Sequence, residues 1–160
     1  MSVFVADERE ADEAESVDLT RLRDLAAFVA AAERVPEGMD LSVLCVSTAA
    51  MAELNFEHMG AQGPTDVLAF PIDLPGESLG DGPAILGDVV LSPATAAEQA
   101  RRAGHDLADE LDLLVVHGIL HLLGHDHAEE DERRRMFGRT AELLEAWRRE
   151  RARPGSGASP

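Results

Sequence analysis

The stretch DELDLLVVHGILHLLGHDH, residues 109–127, decides how this chain is read. From Asp109 to Leu123 nearly every position is apolar apart from the opening acids, Asp112 and two histidines. A helix that is apolar on all sides is one enclosed by the rest of a fold, so a central, buried helix is expected here. His117 and His121 stand four apart, which on a helix places their Cβ atoms on one face, about 5–6 Å from each other. Gly124 follows at a position where a left-handed residue can end the helix and turn the chain back, letting His127 reach the same point from outside it. Three neutral imidazoles suit Zn²⁺, and three protein ligands rather than four leave a position open, the arrangement of a catalytic ion. One zinc ion held by His117, His121 and His127 is therefore expected. Hydrolysis is the reaction class it suits, because zinc brings the pKa of a bound water down to about 7. His125 adjoins the turn without a ligand register, and surface or cap roles are expected for the isolated His58 and His105.

Outward from this helix, the sequence alternates strands and helices. SVFVA (2–6) reads as a short strand, followed by an acidic stretch (7–18) expected to be a solvated loop. Leu22, Leu25, Ala26 and Val29 recur at helical spacing from Leu19 to Arg34, and Pro36 with Gly38 ends the run. LSVLCVS (41–47) is a strand, and Ser47 or Thr48 caps a helix to about His58. Two glycines and Pro64 break that helix before a short strand at 66–70, stopped by Pro71, and ILGDVVL (85–91) is the next strand. Ser92-Pro93 opens a helix closed by Gly104. A polar helix at 129–149 docks through Met136, Leu143, Leu144 and Trp147. These elements predict an α+β fold, an α/β sandwich in which a small mixed sheet of about four strands is packed by helices. A single domain over residues 1–150 and a disordered tail at 151–160 are expected.

The composition narrows the function. The 160 residues suit one domain with an aliphatic core, since only 4% are aromatic. No apolar run reaches the roughly 18 residues that span a bilayer and no basic leader precedes an apolar segment, so a cytoplasmic protein without membrane contact is expected. Cys45 is the single cysteine, within an apolar run, and a buried inert thiol is expected. All 14 basic residues are arginine, which excludes Schiff-base chemistry and a P-loop lysine. The net charge of −17 argues against nonspecific nucleic-acid binding, and DNA is not an expected partner.

The spacing H-x-x-x-H-x-x-G-x-x-H is also that of metzincin proteases, so the predicted zinc site on the buried helix is metzincin-like. Those enzymes carry a glutamate base directly after the first histidine; here that position is Gly118, which cannot take a proton. Peptidase activity is thereby disfavoured. Asp126 is the candidate for orienting a ligand or acting as a base, with a turn role the alternative.

Residues 117–127 fit throughout the signature H-G-x-L-H-L-x-G-x-D-H of the YbeY-type rRNA maturation endoribonucleases, and the chain resembles that family over residues 41–145. GPTDVLAFP (63–71) is similar to its P-T-D-V-L-S-F-P stretch, GDVVLS (87–92) to its G-D-I-x-I-S strand, and Glu98-Gln99-Ala100 to the helix after it. The resemblance implies zinc on His117, His121 and His127 and single-strand-specific, metal-dependent cleavage of RNA. It also implies a role in maturation of the 16S rRNA 3′ end and in ribosome quality control, with the small subunit or its assembly proteins as partners. Many members carry an arginine shortly before P-T-D, taken to contact the scissile phosphate; this sequence has Met59 there, which leaves Arg101 or Arg102 as candidate substitutes. Met59 and the acidic charge motivate a second reading, a zinc-stabilised ribosome-associated binding protein with little catalysis.

Overall fold

Four strands, β1 (Ser2–Asp7), β2 (Met39–Cys45), β3 (Val67–Pro71) and β4 (Ala84–Leu91), form one sheet in the order β1-β2-β4-β3. The computed structural model describes residues 2–10, 14–75, 84–126 and 128–153. Five helices complete it: α1 (Leu19–Ala32), α2 (Thr48–Met59), α3 (Pro93–Ala103), α4 (Leu107–Leu122) and α5 (Glu130–Ala152). This is the mixed α+β arrangement expected from the sequence. β1, β2 and β4 run parallel, and β3 pairs antiparallel with β4, which makes β3 an edge strand. Parallel neighbours need a crossover, and α1 supplies the one between β1 and β2.

Alternation along the strands sorts the core into two clusters. Leu41, Val43, Cys45, Val89 and Leu91 join α1, α4 and α5 in the larger one, while Val90, Leu68 and Val46 meet Met51 of α2 in the smaller. Val89 and Val90 are sequence neighbours, so the clusters lie on opposite faces of the sheet. Helix α4 is enclosed as expected, with Leu111, Leu114, Val115, Val116, Ile119, Leu120 and Leu122 all buried. It starts two residues before Asp109, where the Asp106 carboxylate accepts from the Asp109 amide at 3.0 Å. No helix among the described residues is long and apolar enough to cross a membrane.

Three details depart from the expected pattern. The acidic stretch after β1 is not wholly solvated: the side chain of Arg9 is only 4% exposed, bridging Asp7 at 3.0 Å and Glu15 at 3.2 Å. The guanidinium holds the Asp7 carboxyl below its usual range. Strand β2 lies two residues earlier than 41–47, because Ser47 turns out of the sheet to cap α2, accepting from the Ala50 amide at 3.1 Å. Helix α5 runs to Ala152 and takes up two residues assigned to the tail; residues 154–160 lie outside the described residues. Cys45 is fully buried, and burial pushes its thiol up to about 12, consistent with an inert side chain.

The charged position inside the central helix has a partner that the sequence did not disclose. Asp112 is fully buried, and Arg21 of α1 grips it with Nε to Oδ1 at 3.1 Å and Nη2 to Oδ2 at 2.5 Å. Burial pushes the Asp112 carboxyl above its usual range despite the pull of the guanidinium. Arg21→Ala strands that carboxylate, and we expect a loss of about 3 kcal/mol in urea unfolding at neutral pH. Arg21→Met combined with Asp112→Leu should recover most of it; a single variant as stable as the parent would show the pair to be energetically idle.

A candidate active site between the central helix and an edge strand

Gly118 sets the position of the site. A Cβ built on it lies 2.7 Å from Val89 Cγ1, 3.1 Å from Val89 Cγ2 and 3.4 Å from Val67 Cγ2. Only a residue without a side chain lets α4 approach β3 and β4 this closely. This is also the position at which a metzincin carries its glutamate, and the sheet leaves no room for one.

On either side of Gly118 along the helix, His117 and His121 are half-buried, with ring centroids 4.9 Å apart. One turn of helix thus brings the two imidazoles within reach of a single ion, and this donor pair fits a borderline metal such as zinc. The helix then ends in a Schellman motif. Gly124 has φ 98°, its amide donates to the His121 carbonyl at 3.0 Å, and the His125 amide donates to the Leu120 carbonyl at 3.0 Å. The turn predicted at Gly124 is therefore present. His127, the third expected ligand, lies outside the described residues.

The histidine pair opens into a cleft of about 380 Å³. His117, Gly118 and His121 form one wall, β3 from Val67 to Ala69 another, and Asn55 and Met59 of α2 the end. Thr65, Asp66 and Pro71 complete the lining. The Asp66 carboxylate accepts from the Val67 amide at 2.8 Å, and its backbone carbonyl accepts from the Ser92 amide at 2.9 Å, which fixes the start of the edge strand. Asn55 is buried and donates through Nδ2 to the Gly63 carbonyl at 2.9 Å, tying α2 to the loop that leads to β3.

Other expected site residues stand elsewhere. Asp126 is exposed beyond the helix end, in a separate depression with His125, Glu132 and Arg135. Arg101 and Arg102 do not reach the cleft: both pair with Glu98, at 2.9 and 3.2 Å, on the exposed end of α3. Neither lines the cleft, which corrects their candidacy as a cation within it. Met59 is 67% exposed at the lip of the cleft. His58 meets the Phe70 ring edge-on at 4.8 Å, and His105 Nε2 bonds Glu110 Oε1 at 2.5 Å, as befits surface and cap roles.

Two residues of the site escaped the sequence reading. Asn55 had one signal, a polar residue of poor helix propensity inside an otherwise regular helix. Phe137 is 46% exposed, and its ring stacks near that of His117, with centroids 6.0 Å apart and planes at 29°. Its signal was phase: it falls just off the buried stripe Met136, Thr140, Leu143, Leu144, Trp147 of α5.

The chain is similar to known proteins over nearly its whole length. The family described as Endoribonuclease YbeY matches residues 5–148. A relative from Acidothermus cellulolyticus, named Endoribonuclease YbeY, is 52% identical across 97% of this chain and 98% of its own. Relatives of the same name from Salinispora tropica and Thermobifida fusca are each 50% identical, covering 96% and 93% of this chain and 100% and 96% of theirs. The solution structure of a Thermotoga maritima protein superimposes with a TM-score of 0.60 at 26% identity, over 99% of this chain and 97% of that one.

Proposed function

The chain belongs to the YbeY family of endoribonucleases, and from that premise we propose that it is a zinc-dependent, single-strand-specific endoribonuclease of ribosomal RNA processing. As an endoribonuclease it hydrolyses RNA phosphodiester bonds. The observation that carries the zinc assignment is the half-buried His117–His121 pair opening into a cleft beside an edge strand. His127, three residues beyond the helix-ending Gly124, is the third ligand of the proposal. Zinc so held would supply Lewis-acid activation at an open coordination position.

The chain's own residues do the rest. Gly118 brings the histidine turn against the sheet, and the Asn55–Gly63 bond and the Asp66 contacts keep the opposite wall of the cleft in place. A cleft of about 380 Å³ beside an extended strand suits an unpaired RNA strand, because that volume is far too small to admit a duplex. Maturation of the 16S rRNA 3′ end and ribosome quality control are the proposed setting, with the small subunit or its assembly proteins as partners in the cytoplasm.

Elemental analysis of the purified protein together with an RNA cleavage assay tests this reading. We expect close to one zinc per chain, loss of single-strand cleavage on chelation, and recovery when zinc is returned. Cleavage that persists undiminished in a metal-free preparation would sink it.

A further inference from the structure

We infer that Phe137 and Arg133 of α5 form a nucleotide-positioning platform at the mouth of the cleft, Phe137 stacking one base of the RNA and Arg133 meeting its phosphate. The inference rests on the nuclease reading and extends it to a part of the chain that the zinc site does not use.

Three observations converge. Phe137 leaves nearly half of its surface in solvent while its ring lies 6.0 Å from the ring of His117, so a base placed on it would sit next to the proposed zinc site. Arg133, one turn earlier, holds its guanidinium 5.4 Å from the centroid of the same ring. Among the described residues Arg133 has no carboxylate within 4.0 Å, as is also true of Arg135, Arg148 and Arg151 on the same helix, whereas Arg134, Arg139 and Arg149 are each paired with an acid; Arg133 alone of the unpaired four lies over the Phe137 ring.

The cleft itself creates the need. Its described lining contains no arginine, Met59 stands at its lip, and Arg101 and Arg102 lie outside that lining, paired with Glu98. A chain of net charge −17 must still hold a polyanion. Single-stranded RNA offers π-faces and one negative charge per nucleotide, and an aromatic ring beside an arginine meets both at once. Arg133 thus places a positive charge near the site from α5 rather than from α2.

The test uses the full-length chain and a short single-stranded RNA carrying 2-aminopurine, whose fluorescence is quenched on stacking. Phe137→Ala and Phe137→Leu should raise KM on the order of tenfold, with the loss falling on KM rather than kcat, and should abolish the quench. Phe137→Trp should retain both. Arg133→Gln should lower the slope of log affinity against log salt by about one.

A leucine variant that matches the parent in KM and quench would show that Phe137 merely packs on His117 and would overturn the platform. So would a variant whose only defect is lost zinc and lost kcat. A parent that quenches but does not cleave would retain the platform and remove the nuclease reading; one that cleaves while Phe137→Ala keeps its KM and quench would do the reverse.

Discussion

Replacing His121 with alanine is expected to leave a folded chain that retains little zinc and cleaves single-stranded RNA at least about a hundredfold more slowly. His121 is half-buried at the end of α4 and faces the cleft, so truncation removes an imidazole without emptying the core formed by Ile119, Leu120 and Leu122. Lewis-acid stabilisation of a phosphoryl transfer is worth several kcal/mol, and each 1.36 kcal/mol is a factor of ten in rate. The measurement is kcat/KM alongside zinc content and the circular dichroism of the same preparation. Wild-type cleavage by a zinc-depleted His121→Ala chain would mean that the histidines serve some other purpose, or that a contaminating nuclease supplies the activity.

Gly118 carries the second large effect, and it is one of stability. Alanine there drives a methyl group to within 2.7 Å of Val89, which is fully buried and, being β-branched, stiff at χ1. Overpacking of this kind costs about 1–3 kcal/mol. Glutamate adds the cost of a carboxylate buried without a partner, so Gly118→Glu is expected to be largely unfolded rather than converted into a peptidase. Urea unfolding of Gly118→Ala, Gly118→Glu and the pair Gly118→Ala/Val89→Ala gives the comparison. The second substitution deletes the atoms that are struck and should restore part of the loss. A Gly118→Ala chain as stable as the parent would show that the helix can lift off the sheet at no cost, removing the close approach as the device that positions the histidines.

Much of this architecture is local, and local features were legible. Periodicity and caps place α1, α2, α3 and α4 within two residues of where they lie, because Ser47, Pro93 and Gly104 act on their own helices. The four-residue spacing of His117 and His121 and the left-handed turn at Gly124 are likewise properties of one helix and its end. Strand order was not legible: β4 enters between β2 and β3, and nothing in any one strand states its neighbours.

By itself, then, the sequence determined the class of fold, the histidine pair and the family, since each depends on residues a few positions apart. Tertiary structure alone decided that Arg21 reaches Asp112 across 91 positions, that the Arg9 side chain is covered, that Asp126 stands outside the cleft, and that Phe137 faces His117. Burial and contact across the fold depend on how whole helices are seated against the sheet. For α4 that seating is set at Gly118, whose missing side chain is visible in the sequence and whose contact with Val89 is not.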